Sequence, residues 1–296
     1  MTSWLTSFPQ LNDSLLRDIQ RNIDNGFRAF TRAYGDLIEG FFSPLQTLMI
    51  WFERLLLNTP WPIILAVVAA LAWGASRSPR VVIGSVATLV LIGMFGMWDD
   101  TMKTISMVLA ATFLSIAIGL PLGILMARSN RMQRIISPIL DIMQTMPSFV
   151  YLIPVVMLLG IGRVPGLIAV VIYALPPMIR LTNLGIRQVD REVLEAADAF
   201  GSSASQKLVK AQLPLALPTI MAGINQTIMM ALAMVVIASM IGVQGLGQPV
   251  LRAISNQYFT LGLFNGFAIV GIAILFDRIS QAWGKRLQKH QEASHD

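Results

Sequence analysis

Residues 190–214 read DREVLEAADAFGSSASQKLVKAQLP, and this polar segment separates two long apolar blocks of the chain. Its apolar residues recur at steps of three and four, which predicts one face of a helix. Those residues are Val193, Ala196, Ala197, Phe200, Ala204 and Leu208. Asp190 is expected to cap the start of this helix, and Gly201 is expected to end it in a left-handed conformation.

A second short helix is predicted after the glycine. Ser203 and Gln206 have the spacing of a capping box, in which each side chain bonds the backbone of the other residue. Pro214 is expected to stop this helix, because proline lacks an N–H and clashes with the preceding turn. The segment therefore predicts a helix, a glycine turn and a second helix on a membrane surface, although its spacing alone also fits a solvated loop between two spans.

The composition of the whole chain is typical of a polytopic membrane protein. Of its 296 residues, 55% are hydrophobic and only 13% are charged, and the mean hydropathy is +0.65. The net charge of +6 comes from Lys and Arg in short loops, which marks cytoplasmic sides and argues against nucleic acid binding. The chain has no cysteine and two histidines, which excludes disulfides and a His-rich metal site, so no metal is expected.

The pattern of apolar runs predicts an all-α membrane protein, a polytopic bundle of about seven transmembrane helices. We divide it into an N-terminal polar and amphipathic segment (1–58), a transmembrane domain (59–284) and a cytosolic tail (285–296). The predicted spans are 60–76, 81–98, 104–127, 135–160, 166–184, 215–242 and 261–282. Residues 41–57 either lie in the membrane interface or make an eighth span. Residues 1–10 lack the features of a cleavable signal peptide and are expected to be retained.

The distribution of Lys and Arg predicts the orientation of these spans. The turns at 77–80, 128–134 and 180–210, together with the tail, are rich in basic residues, whereas the opposite turns contain few. Because basic loops face the cytoplasm, seven spans place the N-terminus outside and the C-terminus inside. The segment 190–214 then faces the cytosol, and residues 245–258 face outward.

Two of the predicted spans contain irregular features. Residues 135–160 are interrupted by prolines, which predicts a short helix, a break near Met146–Pro147 and then a span. Gly119 and Gly123 have GxxxG spacing around Pro121, which favours close helix contact and a kink.

Seven residues are candidates for a translocation path: Asp141, Gln144, Phe149, Tyr151, Tyr173, Asn225 and Gln226. An acid within a span is a functional candidate, so Asp141 is expected either to attract a cation or to sit at a helix end near the cytosolic interface, bonded to backbone. Aromatic faces bind quaternary ammonium cations, but aromatic residues at helical spacing also serve packing. Asn225 and Gln226 either line the path or join helices by hydrogen bonds.

The chain lacks the motifs of an ATPase or another enzyme. The phosphate-binding pattern GxxxxGK[ST] is absent, and both histidines lie near the C-terminus, away from any nucleophile. The chain is therefore expected not to be an enzyme and to hold no cofactor, and any ATP is expected to be hydrolysed by a separate subunit.

The polar segment resembles the EAA loop of ABC-importer permeases. The resemblance rests on Glu195-Ala196-Ala197, then Gly201, a small apolar residue at Ala211 and Leu213-Pro214. The family usually has Ile at the position of Ala211, which concerns local packing. The resemblance implies that residues 190–214 form the coupling loop, which docks in a groove of the ATPase subunit.

Two further stretches resemble glycine betaine, proline betaine and choline permeases. They are residues 137–162, SPILDIMQTMPSFVYLIPVVMLLGIG, and 241–247, IGVQGLG. With the EAA-like loop, the resemblance covers roughly residues 100–282. It implies a type I ABC-importer permease fold in the bacterial cytoplasmic (inner) membrane, and a homodimer with two ATP-binding and Mg-binding ATPase subunits and an external, periplasmic substrate-binding protein. The implied function is osmoprotective import of choline or glycine betaine.

A secondary transporter driven by an ion gradient is the alternative from another class. It would be expected to show repeated halves and intramembrane ion ligands. No clear repeat is visible, and Asp141 stands alone in its span. A structural membrane protein would not account for the EAA-like loop. The sequence leaves open whether the cargo is choline, betaine or an amino acid.

Overall fold

The computed structural model describes residues 11–292, without the side chains of residues 36, 39 and 287–292. The predictions for residues 1–10 and for the end of the tail lie outside the described residues. Within the described part the regular structure is helical: α1 (Asp13–Asn58), α2 (Trp61–Ser76), α3 (Pro79–Met94), α4 (Trp98–Arg128), α5 (Asn130–Thr145), α6 (Leu152–Leu159), α7 (Arg163–Arg187), α8 (Arg191–Ala199), α9 (Ala204–Lys207), α10 (Leu213–Ala238), α11 (Gly247–Asn256) and α12 (Phe259–Glu292).

The chain divides into two compact units, Met1–Pro44 and Leu45–Asp296. The division lies inside α1, whereas the sequence analysis places the end of the N-terminal segment at residue 58. The cause is packing, because Met49 is only 6% exposed and Phe52 lies against the large apolar core. The last part of α1 therefore belongs to the larger unit, although it continues the same helix.

The centre of the larger unit is α7, which packs between α4 and α10. Gly123 of α4 lies so close to α7 that an added Cβ would be 2.8 Å from the carbonyl oxygen of Ile179. At Gly119 the same addition would come 2.8 Å from the side chain of Met178. The predicted close contact at these two glycines is confirmed, and glycine is required there because no Cβ fits between the helices.

Four helices are long and apolar enough to cross a membrane among the described residues: Trp98–Arg128, Arg163–Arg187, Ala204–Ile241 and Phe259–Arg286. Each overlaps a predicted span, although Ala204–Ile241 begins within the polar segment and not at residue 215. The predicted span 81–98 is shorter in the structure, because α3 ends at Met94 and its 16 residues rise about 24 Å.

The remaining apolar segments are bent pairs of helices. The segment Gly40–Asn58 meets α2 at 106°, and α5 meets the segment Ser148–Leu159 at 112°. The predicted break at Met146–Pro147 is confirmed, but the chain continues from it as a 3₁₀ turn and then the eight residues of α6. Since eight helical residues rise about 12 Å, the stretch after the break is too short to be the full span that the sequence analysis predicts.

Candidate coupling loop and translocation path

The first helix of the polar segment, α8, starts at a capped end and exposes its apolar face. The Asp190 carboxylate accepts a hydrogen bond of 2.9 Å from the Glu192 N–H, as predicted. Glu195 accepts from Arg191 at 2.9 Å on the surface, and Ala196 and Ala197 follow it. No residue of α8 is buried.

The turn after α8 has the conformation that the sequence predicts. Gly201 has a φ of +72°, and its N–H donates to the Asp198 carbonyl at 2.9 Å. The N–H of Ser202 donates to the Ala197 carbonyl at 3.0 Å. These two bonds form a Schellman motif, which satisfies carbonyls at the end of the helix and requires a left-handed residue at position 201.

Two contacts fix the short helix α9 after the turn. Ser203 and Gln206 form both bonds of the predicted capping box. Lys207 pairs with Asp198 at 2.5 Å, which ties α9 back to α8. The sequence pattern does not predict this pair, because the two residues are brought together by the glycine turn and not by helical spacing.

Pro214 does not stop the second helix, so that prediction is wrong. A five-residue π-helical turn, Leu208–Gln212, joins α9 to α10, and Pro214 lies in the first turn of α10. The backbone of a π turn is wider than that of an α-helix, which leaves room for the proline ring. Pro214 also lies in the first turn of α10, where a residue without an N–H leaves no intrahelical hydrogen bond unmade. The loop therefore continues into the membrane helix without a break.

The base of the coupling loop packs against the membrane core. Leu208 is 8% exposed and clusters with Ile186 of α7 and Ile220 of α10, and Leu213 packs against the same cluster. At the tip, by contrast, Phe200 is 89% exposed, and at the base the side chain of Val209, next to Leu208, is 61% exposed. Phe200 is a candidate docking residue because it lies at the turn of the loop that resembles the EAA loop.

Asp141 is the single acid of the predicted span 135–160, and it has a charged partner on another helix. Its carboxylate accepts a hydrogen bond from the Arg180 guanidinium, which joins α5 to α7. The Asp141 side chain is 63% exposed, whereas the Nε of Arg180 is buried without a partner among the described residues. The sequence carries a signal for this pair, because Arg180 is a basic residue inside the predicted span 166–184.

Tyr151 and Tyr173 are the candidate path residues that the structure brings together. Their ring centroids are 5.9 Å apart in an edge-to-face arrangement. Tyr151 is buried, and its hydroxyl donates to the Met143 carbonyl across the break. Phe149 and Gln144 are exposed, and Tyr173 is half-buried. The break therefore combines the buried ring of Tyr151, the half-buried ring of Tyr173 and two outward side chains.

Asn225 joins two membrane helices. Its amide donates to the Asp277 carboxylate at 2.9 Å, and the Ser280 hydroxyl donates to the Asn225 amide oxygen at 2.5 Å. This geometry matches the helix-joining alternative for Asn225, while Gln226 is exposed. Asp277 is not among the residues predicted for the path, although an acid inside the predicted span 261–282 is a signal of a functional candidate.

The glycine-rich stretch after α10 is anchored to two helices. Arg163, at the start of α7, donates to Glu53 at 2.5 Å and to Gln244 at 2.6 Å. The Leu246 N–H donates to the Thr104 hydroxyl of α4 at 2.9 Å. The stretch 241–247 is thus part of the folded body and not a free loop.

Comparison with known proteins identifies the family. Residues 119–289 match the model of the binding-protein-dependent transport system inner membrane component. The chain belongs to this family. It is 46% identical over 292 residues to the glycine betaine/proline betaine transport system permease protein ProW of Escherichia coli (strain K12), covering 95% of this chain and 82% of that protein.

A second relative supports the family, and a solved structure shows the same fold. The glycine betaine/carnitine transport permease protein GbuB of Listeria monocytogenes serotype 1/2a (strain 10403S) is 47% identical over 262 residues, covering 88% of this chain and 91% of that protein. A chain of the inward-facing MetNI methionine ABC transporter has a TM-score of 0.57 and 21% identity, covering 62% of this chain and 93% of that chain. The predicted fold, an all-α ABC-importer permease, is confirmed.

Proposed function

We propose that this chain is the membrane-spanning permease subunit of an ABC importer for glycine betaine and related quaternary ammonium compounds. The observation that carries the proposal is the folded loop 190–214, which exposes Phe200 on a turn fixed by a Schellman motif and a capping box. Similarity to ProW and GbuB, whose names both specify glycine betaine transport, supports the substrate class. Membership of a binding-protein-dependent family does not support the ion-driven secondary transporter.

The loop transmits movement through a continuous helical path. The π turn links α9 to α10 without a break, so displacement of the tip tilts α10 directly. Leu208 packs against both α7 and α10, and the Asp198–Lys207 pair couples α8 to the same unit. Closure of partner ATPases on the loop would therefore switch the path between inward-facing and outward-facing states, which is alternating access.

The partners follow from this arrangement. Two ATPase subunits would bind and hydrolyse ATP with Mg, because this chain lacks the phosphate-binding motif. A homodimer of the chain would enclose the path, and an external substrate-binding protein would deliver the cargo to the outward side. We place residues 190–214 and the tail in the cytosol and 245–258 outside, on the Lys and Arg asymmetry.

A binding site on the translocation path would have low affinity for the cargo and would be formed by aromatic rings. A trimethylammonium group lacks hydrogen-bond donors, so it is held by ring faces and by a diffuse field. Tyr151 and Tyr173 supply adjacent rings. Arg180 neutralises the charge of Asp141. We therefore assign to Asp141 the role of holding α5 against α7 near the break. The negative potential that Asp141 exerts on the cargo is reduced by the arginine.

The test is transport by the full complex in liposomes. The chain is purified with the ATPase and binding protein that accompany it, and uptake of radiolabelled glycine betaine, choline and a neutral amino acid is measured. We expect ATP-dependent uptake of glycine betaine, and slower uptake with Tyr151→Ala but unchanged ligand affinity of the binding protein. Accumulation of the amino acid alone would refute the substrate class, and uptake driven by an ion gradient without ATP would refute the ABC mechanism.

A further inference from the structure

A groove between α3 and α12 combines two arginines with an apolar wall. It encloses about 340 Å³ and is lined by Arg80, Val81, Gly84, Ser85, Thr88, Ile274, Leu275 and Arg278. None of these residues belongs to the coupling loop or to the candidate path. The groove lies at the N-terminal end of α3, beside the basic turn at 77–80. We call it the inner groove, because that turn is predicted to face the cytosol.

The register of α3 and α12 explains why the two arginines meet. Phe95 stacks on Phe264 with centroids 5.0 Å apart, and a Cβ added at Gly271 would lie 2.8 Å from the methyl group of Thr88. The second contact lies seven residues from the first on both helices, so the helices run antiparallel in register. A further step of seven residues along both helices brings Arg278 of α12 level with Val81 of α3, next to Arg80. All three residues line the groove.

The same register places the groove at the membrane surface. Phe259 begins the apolar span of α12, and Arg278 lies about 28 Å along the helix from it. The hydrocarbon core of a bilayer is about 30 Å thick. If Phe259 is at one interface, the two guanidinium groups are at the level of the phosphates on the other, while Thr88 and Ile274 lie at the depth of the acyl chains.

The charge at this position has no counter-ion within the described part of the chain. Neither Arg80 nor Arg278 forms an ion pair or a side-chain hydrogen bond there, although five ion pairs occur elsewhere. Ser85 is only 5% exposed, and its hydroxyl also lacks a protein partner among the described residues. The first turn of α3 adds unpaired N–H groups and the positive end of the helix dipole.

We infer that the inner groove binds the phosphate of an anionic phospholipid, with one acyl chain lying along Gly84 and Ile274. Two guanidinium groups that line one groove repel each other, and an anion between them removes that repulsion. Arginine binds phosphate oxygens in a bidentate manner. Basic pockets between membrane helices on the cytoplasmic side are suited to such headgroups. A free phosphate would satisfy the arginines but would leave the apolar wall uncovered.

The first experiment measures lipid retention by native mass spectrometry of the full chain released from detergent. Wild-type protein is expected to retain phosphatidylglycerol, and Arg80→Gln with Arg278→Gln is expected to lower its affinity about 30-fold, from the contribution of two arginines near a membrane surface. The matched control is Arg131→Gln with Arg134→Gln, which removes the same charge from the predicted cytosolic turn 128–134, away from the groove. Equal loss in both double variants would overturn a specific site.

A second variant tests the groove while leaving both arginines in place. A Cβ at Gly84 meets nothing within 4 Å, so Gly84→Leu is chosen to place an apolar side chain in the acyl slot. Gly266 of α12 is equally open and does not line the groove, so Gly266→Leu is the control. We expect loss of phosphatidylglycerol only with Gly84→Leu, and retention by both variants would refute the acyl placement.

The third measurement distinguishes a lipid from free phosphate. Thermal unfolding of the detergent-solubilised chain is followed with phosphatidylglycerol, phosphatidylcholine or inorganic phosphate added. Phosphatidylglycerol alone is expected to raise the Tm of wild-type protein and to leave that of the Arg80 and Arg278 double variant unchanged. An equal rise with inorganic phosphate would assign the site to free phosphate, and an equal rise with phosphatidylcholine would show that the anionic headgroup is not recognised; either result overturns the proposal.

Discussion

Replacing Gly201 with valine is expected to weaken docking of the ATPase. Gly201 has a φ of +72°, and a Cβ at this position meets nothing within 4 Å, so the whole effect comes from the backbone and not from a clash. A left-handed conformation costs an ordinary residue about 1–2 kcal/mol, and strained backbone positions cost about 1–3 kcal/mol each. A β-branched residue belongs at the upper end of that range.

The size of the effect depends on the contacts that hold the turn closed. The two backbone bonds of the Schellman motif contribute about 1 kcal/mol each, and the exposed Asp198–Lys207 pair adds about 0.5 kcal/mol. Strain of about 2–3 kcal/mol therefore offsets this local stability, so that open forms become as populated as the docked form. Because apparent affinity falls with the fraction of protein whose turn is closed, ATPase binding is expected to weaken by up to about threefold, and uptake by at least as much.

Asparagine at the same position is the matched control. Asn tolerates the left-handed region far better than valine, so Gly201→Asn is expected to dock and transport nearly as wild type does. The assay compares binding of the purified ATPase to permease in nanodiscs, at equal levels of inserted protein. If valine and asparagine variants bind equally well, the left-handed turn does not control docking.

Three further predictions address packing, a buried polar contact and orientation. Gly123→Ala is expected to destabilise the permease by about 1–3 kcal/mol through overpacking, seen as a lower Tm, whereas Gly266→Ala should not; an unchanged Tm for the first would contradict the helix contact. Asn225→Leu is expected to destabilise the permease by about 1–3 kcal/mol, because the Asp277 carboxylate loses a hydrogen-bond donor. Adding Asp277→Leu should recover part of the lost stability. A larger loss in the double variant would argue against the pair. In the cysteine-free chain, Ser255→Cys should react with an impermeant maleimide in intact cells and Ser203→Cys should not; labelling of the latter from outside would reverse the orientation.

The local features of the coupling loop could be predicted because they depend on residues a few positions apart. The caps at Asp190 and Ser203 and the turn at Gly201 follow from backbone geometry and short side chains, which act within one or two turns. The close contact at Gly123 also follows from spacing, since glycines one turn apart leave a flat surface for another helix. The family resemblance rests on the same local pattern.

The prediction at Pro214 shows where local rules fail. Proline disfavours a regular helix, but packing of Leu208 against α7 and α10 stabilises a π turn that accommodates it. The predicted lengths of α3 and of the stretch after Pro147 are also wrong. An apolar run indicates which residues are in the membrane, but it does not indicate where a helix bends or ends.

Hydropathy and capping are properties of short segments, so the amino-acid sequence alone predicts a helical membrane protein with a folded polar loop. Which polar side chains meet is seen in the folded chain alone. Asp141 with Arg180, Asp277 with Asn225, and Arg80 with Arg278 are brought together by helix packing. These pairs depend on the rotation and register of one helix against another, and many interfacial side chains jointly set that register, so no single stretch of sequence specifies it.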